Sequence, residues 1–83
     1  MPTAGPWVYD EYSTTWKRTE EGVGPVCEVF CVGRTDPDVF YWYLDERVDP
    51  KRTDWINEFG LEAAQKACDA ELRRRGWTLQ ENP

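Results

Sequence analysis

The run Val39-Phe40-Tyr41-Trp42-Tyr43-Leu44 constrains the fold more than any other stretch of this chain, because it places six apolar or aromatic residues in a row in an otherwise polar sequence. β-Branched and aromatic side chains favour the pleated surface of a sheet. A strand that is apolar on both faces is typical of the interior of a sheet that is covered on each side. We therefore predict that this strand is central.

The small size of the chain limits what can cover that strand. The 83 residues suffice for a single domain, 1–83, with a thin core. Five Trp, four Tyr and three Phe supply large apolar side chains. A small sheet and one helix cannot bury all twelve of them. We therefore expect some aromatic side chains to lie at the surface and to form a binding site.

Two strands are predicted before the aromatic run. Residues 13–20 alternate in polarity, which predicts the first strand. Residues 7–9 either extend this strand or fold across the core. Glycines and Pro25 predict a turn, and residues 26–32 predict the second strand. Residues 1–6 contain two Pro and a Gly and are predicted to be a flexible arm. One face of the second strand is apolar throughout and consists of Cys27, Val29 and Cys31. We expect this face to point to the core.

Short connections favour an antiparallel meander of these strands. Three strands are predicted, or four if another segment pairs beyond 39–44. In a three-stranded meander the 39–44 strand lies at an edge, which conflicts with a central position. Either residues 7–9 or 55–56 then cover its second face, or Tyr41 and Tyr43 are exposed. Residues 45–58 are charged and contain Pro50, so we expect a long charged surface loop.

The C-terminal region predicts a helix over 60–76, because strong helix formers dominate it. Gly76 fits the left-handed position after the helix, where Trp77 can contact Leu72 in a Schellman motif. The fold class predicted is therefore α+β, with a three-stranded (or four-stranded) antiparallel sheet packed against one C-terminal helix. The apolar stripe that should face the sheet consists of Leu61, Ala64, Cys68 and Leu72.

The residue types give little support for catalysis or for metal binding. The chain has no His, which is the usual general base and a common zinc ligand, and Ser13 is its only Ser. Cys27 and Cys31 lie about 13 Å apart along a strand, too far for a disulfide. Together with Cys68 they are predicted to be small buried hydrophobic residues. We expect a protein that is not an enzyme and that has no catalytic residue, metal or cofactor.

The expected compartment is the cytoplasm. The odd number of three cysteines indicates reduced thiols, and residues 1–6 lack the basic and apolar regions of a signal peptide. The longest apolar run, six residues, is far shorter than the ~20 that cross a bilayer, so no membrane association is expected.

The net charge of −6 disfavours ordinary binding to a nucleic acid backbone. Two alternatives remain open beside protein binding. Aromatic side chains on the sheet could stack unpaired bases, with Lys17, Arg18 and Arg34 beside them. An exposed aromatic edge could also pair with a second copy of the chain and give a homodimer.

Two segments carry a resemblance to known proteins. They are Trp-x-Tyr-Asp-x-Tyr-x-x-Thr-Trp-Lys-Arg at 7–18 and Leu-Glu-Ala-Ala-Gln-Lys-Ala-Cys-Asp-Ala-Glu-Leu-Arg-Arg-Arg-Gly-Trp at 61–77. In these the chain resembles small uncharacterised α+β proteins of bacteriophages and prophages. The resemblance implies a phage-encoded accessory factor that acts in the host cytoplasm, such as an inhibitor of a host defence complex of the anti-CRISPR type. It assigns a role to no single residue.

The function predicted is that of a non-enzymatic interaction protein whose partner is a host protein or protein complex. An acidic surface beside aromatic side chains suits a partner with complementary charge. The candidate partner-binding residues are Tyr41, Tyr43 and Trp55, together with the acids Asp45, Glu46 and Asp49.

Overall fold

The structure, a computed structural model, describes residues 2–31, 39–50 and 56–81, with residues 56 and 57 as backbone only. The described residues confirm the α+β class with an antiparallel sheet and one helix near the C-terminus. The elements in chain order are β1 Thr3–Ala4, β2 Val8–Asp10, β3 Thr15–Glu20, β4 Gly24–Cys31, β5 Val39–Leu44, β6 Ile56–Phe59, α1 Leu61–Arg74 and β7 Thr78–Leu79.

The main sheet has five strands in the order β2-β3-β4-β5-β6, so the prediction of three or four strands was too low. β2 arises where residues 7–9 were expected to extend the first strand or to cross the core. A tight turn separates β2 from β3, in which Asp10 Oδ1 accepts a hydrogen bond from the Tyr12 amide at 2.9 Å. Thr14 takes a left-handed conformation with φ of 54° in the same turn.

β6 begins within the segment 45–58 that was predicted to be a loop, and it is the further pairing segment beyond 39–44 that the sequence left open. It pairs with the outer edge of β5, with Trp42 opposite Ile56 and Val39 opposite Phe59. β5 is therefore an inner strand, although β4 rather than β5 lies in the middle of the sheet.

The helix and the sheet enclose the core on one side of the sheet. Along β5 the buried residues are Trp42 and Leu44, whereas Tyr41 and Tyr43, which alternate with them, are only half-buried. Cross-strand register sets Trp42 beside Val29 and Leu44 beside Cys27. The helix contributes a buried stripe to the same core, formed by Ala64, Cys68 and Leu72.

A β-bulge modifies the predicted pattern of β4. Arg18 lies opposite Cys27 and Thr19 opposite Pro25, so Val26 is the extra residue. A bulge lets two successive side chains turn toward the same face. Val26 and Cys27 are accordingly both buried, at 0% and 1% exposure.

The helix ends as the sequence predicts. Gly76 adopts φ of 91°, the Trp77 amide donates to the Leu72 carbonyl at 3.0 Å, and the Gly76 amide donates to the Arg73 carbonyl at 3.0 Å. These two hydrogen bonds define a Schellman motif, and the half-buried Trp77 packs against the core.

The N-terminal segment is not the flexible arm that its Pro and Gly content predicts. β1 pairs in parallel with β7, and Ala4 is fully buried. The Thr78 amide donates to the Pro2 carbonyl at 2.9 Å, and the Gln80 amide donates to the Ala4 carbonyl at 3.0 Å. The two ends of the described chain are thus held side by side.

Arg18 joins the sheet, the helix and both terminal segments. Its Nε and Nη2 donate to the two carboxylate oxygens of Asp69 at 2.8 and 3.1 Å, and Nη1 donates to the carbonyls of Gly5 at 2.7 Å and Gln80 at 2.8 Å. The guanidinium carbon lies 5.1 Å from the ring centroid of Trp7, in cation–π geometry. We call these five residues the Arg18 cluster.

Substitution of Arg18 by Met should destabilise the fold by about 3 kcal/mol or more, because it removes one partner of a buried ion pair. The side chain of Asp69 is 15% exposed in the native structure, so its charge would lose its main compensation without regaining full hydration. Urea denaturation followed by tryptophan fluorescence measures the change.

Arg74→Met is the matched control for that substitution. Arg74 also pairs with a carboxylate, that of Glu71, but its side chain is 67% exposed. The control should unfold at nearly the same urea concentration as the unmodified protein. An equal loss from both substitutions would contradict the structural role assigned to Arg18.

Candidate binding surface

The face of the sheet opposite the helix carries a cluster of apolar side chains, which we call the open-face patch. Tyr41 and Tyr43 lie on β5 and alternate with the buried residues of that strand. Phe30 of β4 stacks on Tyr41 at a centroid distance of 6.0 Å and meets Tyr43 edge-on at 6.1 Å. By strand register the patch consists of Phe30, Val39, Tyr41, Tyr43 and Phe59.

The exposure of the patch increases toward β6. Phe30, Val39, Tyr41 and Tyr43 are half-buried, whereas Phe59 is 80% exposed. Large apolar side chains that share one face and retain accessible surface are typical of sites that bind another molecule.

A charged group borders the patch on β2, β3 and β4. The Lys17 ammonium lies 3.1 Å from the Asp10 carboxylate and 3.2 Å from that of Glu28, and Glu28 is the cross-strand neighbour of Tyr43. The hydrogen bond with Asp10 raises the pKa of Lys17, and the same contact lowers the pKa of Asp10. The cation next to the patch is therefore neutralised by two carboxylates.

The acids that the sequence proposed for the site do not all face outward. Glu46 is exposed. Asp49 is only 6% exposed, and its carboxylate lies 3.7 Å from the guanidinium of Arg75. Asp45 accepts a hydrogen bond from Nη1 of Arg47 at 3.0 Å. Trp55 lies outside the described residues.

Arg47 fixes the turn that carries these acids. Its guanidinium donates to the carbonyls of Pro25 at 2.7 Å and Gly24 at 2.9 Å, and it lies 3.5 Å from the Glu20 carboxylate. The turn is thereby tied to the end of the β3–β4 hairpin. The structure thus brings Tyr41 and Tyr43 together, while Asp45 and Asp49 are engaged in contacts that hold the turn and the helix end.

One of the basic side chains considered for nucleic acid binding, Arg18, is not positioned as expected. Arg18 lies in the core with 3% exposure, and Arg34 falls outside the described residues. Among the cysteines, Cys27 and Cys68 are buried as predicted, whereas Cys31 is exposed. In the described part of the chain, no three Cys, Asp or Glu side chains are grouped in a way that could hold a metal ion.

No helix in residues 2–31, 39–50 or 56–81 has both the length and the hydropathy that a membrane span requires. Comparison with models of protein families, with curated proteins and with solved structures found no match for the chain. The resemblance to phage proteins therefore stays a prediction that depends on segments 7–18 and 61–77.

Sequence reasoning missed three members of the patch, namely Phe30, Val39 and Phe59. Phe30 shares a strand face with Glu28, which made that face look polar. Phe59 lies in β6, the fourth strand that the sequence left open without giving it bounds. The aromatic run did contain a signal for Val39, because residues two apart on a strand, such as Val39 and Tyr41, point to the same face.

Substitution of Lys17 by Met should raise the pKa of Asp10 toward its ordinary value, because the principal cause of its lowering is the hydrogen bond with Lys17. The titration of the Asp10 carboxyl group, followed by NMR, measures this change. Since the folded-state pKa of Asp10 lies below the ordinary value, the pair stabilises the fold above the ordinary carboxyl range. That stability is lost as the pH falls through the lowered pKa.

Lys66→Met serves as the control, because Lys66 pairs instead with Glu62 on the exposed face of the helix, at 3.4 Å. It should leave the Asp10 titration unchanged. An Asp10 pKa that stays low in the Lys17 variant would refute the assigned cause.

Proposed function

We propose that this chain is a non-enzymatic interaction protein that binds another protein through the open-face patch. The observation that carries the proposal is the continuous set of aromatic contacts on one sheet face, in which Phe30, Tyr41 and Tyr43 meet and Phe59 is 80% exposed. Aromatic anchors of this kind supply much of the binding energy at protein interfaces.

The rigidity of the patch supports binding by a preformed surface. Its members belong to three adjacent strands whose opposite face is packed against the helix in one core. Side chains held in this way lose little further conformational freedom on association, which favours affinity.

The surrounding charges favour a protein partner over nucleic acid. The basic group beside the patch, Lys17, already has two carboxylate partners, and the chain carries a net charge of −6. A nucleic acid backbone would approach Asp10 and Glu28 as well as Lys17, and like charges would oppose it.

The proposed partner is a host protein or protein complex, and inhibition of that partner is the proposed consequence. This part of the proposal follows from the resemblance of segments 7–18 and 61–77 to phage proteins. The open-face patch adds the surface through which an accessory factor of that kind would act.

The test uses the purified chain to capture proteins from bacterial lysate, followed by titration of the identified partner. The variant combines Tyr41→Ser with Phe59→Ser, which removes two patch rings. It should weaken binding at least tenfold, as expected for the loss of aromatic anchors. Circular dichroism and urea denaturation establish that the variant is folded.

Tyr12→Ser is the matched control, because Tyr12 is a fully exposed aromatic residue in the β2–β3 turn, outside the patch. It should bind as the unmodified chain does. The proposal fails if the double variant keeps full affinity, or if the Tyr12 variant loses as much.

Two further measurements test the alternatives. A gel shift at low salt with single-stranded and double-stranded DNA and RNA should show no complex, and a complex that depends on Tyr41 would favour nucleic acid instead. Sedimentation of the free chain should give a monomer, and a dimer lost on Phe59→Ser would favour self-association through β6 and the patch.

A further inference from the structure

The main sheet ends at β6, and the outer edge of that strand is a second feature through which the sheet can take up a partner. Among the described strands β6 pairs with β5 alone, in the register that sets Val39 opposite Phe59 and Phe40 opposite Glu58. Backbone amides and carbonyls on the outer edge of a terminal strand can pair with an extended segment of another chain.

The two sides of this edge differ in chemistry. On the open face, Phe59 continues the open-face patch and is 80% exposed. Glu58 points to the opposite face, which it shares with Phe40, a residue packed against the core. The helix begins just beyond β6, and the side chain of Glu62 in its first turn is 84% exposed. The edge therefore has an apolar side and an acidic side.

A shallow groove joins the end of β6 to the first two turns of the helix. It has a volume of about 500 Å³, and its lining consists of Phe59, Gly60, Leu61, Glu62, Ala63 and Lys66. The Lys66 ammonium lies 3.4 Å from the Glu62 carboxylate. Of the described residues at this edge, two acids, Glu58 and Glu62, thus stand against one base, and the edge favours a basic partner.

We propose that the partner meets this surface as an extended segment that pairs with β6, with apolar side chains toward the open-face patch and basic side chains toward Glu58 and Glu62. This inference rests on the proposed function, because it names the form in which a protein partner meets the same surface. Side chains of a strand alternate between its two faces, so a segment that alternates apolar and basic residues satisfies both sides at once. In such strand addition, main-chain hydrogen bonds supply affinity and the alternate side chains supply specificity.

The probe is a synthetic peptide of about eight residues that alternates Val and Lys, with both termini blocked so that only side-chain charges act. Anisotropy of a fluorescent label on the peptide measures its affinity for the unmodified chain. Amide hydrogen exchange, followed by NMR, locates the binding site. The peptide should bind, and exchange in residues 56–59 should slow by about tenfold or more.

Three altered peptides test the features that the proposal requires. One has the same composition with Val and Lys in separate blocks, one carries Glu in place of Lys, and one has its internal backbone amides methylated. Each should bind about tenfold more weakly or worse, because they lack in turn the alternation, the charge and the main-chain donors.

Glu58→Lys should weaken binding of the alternating peptide about tenfold, since it sets a like charge beside the lysines of the peptide. Glu11→Lys is the matched control: it makes the same change in net charge at an exposed position in the β2–β3 turn, and it should bind nearly as the unmodified chain does. Urea denaturation establishes that the variants are folded. If Glu58→Lys is not folded, Glu58→Gln takes its place, with an expected loss of about threefold.

The inference is overturned if the alternating peptide does not bind, or if the block or methylated peptide binds as well as it does. Slower exchange at β2 instead of β6, or an equal loss from the Glu58 and Glu11 variants, would also refute it. The proposed function is decided separately, by titration of the captured partner with the variant that combines Tyr41→Ser and Phe59→Ser. A partner that requires those rings but leaves exchange in residues 56–59 unchanged would uphold the open-face patch and refute the strand pairing.

Discussion

The buried guanidinium of Arg18 is the constraint on which the arrangement of this small fold depends. An unpaired charge in the core would cost several kcal/mol, so every element around it must supply a partner. Asp69 gives both carboxylate oxygens, Gly5 and Gln80 give carbonyls, and Trp7 gives a ring face. These groups come from the helix and from both terminal segments, so the Arg18 cluster specifies how those parts meet. The core of this chain contains few aliphatic residues, and the polar Arg18 cluster helps to specify a single packing arrangement.

The parts of the fold that were predictable from sequence are those determined by local interactions. The helix end is one example, since the left-handed Gly76 and the contact of Trp77 with Leu72 require only neighbouring residues. The apolar stripe of the helix and the core face with Cys27 and Val29 also followed from periodicity. The position of Tyr41 and Tyr43 on the open face was one of two alternatives that the sequence left open, because an apolar run on an inner strand has two faces and one helix covers one of them.

The remainder depends on contacts between distant residues. Arg18 looked like a surface cation because nothing near it in sequence reveals Asp69, which lies 51 residues away. The inward turn of Val26 follows from a bulge that pairing with β3 imposes, and Phe59 joins the patch only through β6. Asp49 looked like a surface acid for the same reason, since its partner Arg75 is at the far end of the helix.

The two faces of the sheet differ in how their charged and apolar groups are engaged. On the helix side, the guanidinium of Arg18 has its partners within the fold. On the other side, Lys17 is held by two carboxylates, so the groups that retain accessible apolar surface are the rings of the open-face patch. Under the proposed function, the binding energy on that face comes mainly from apolar burial and shape, which depend little on ionic strength.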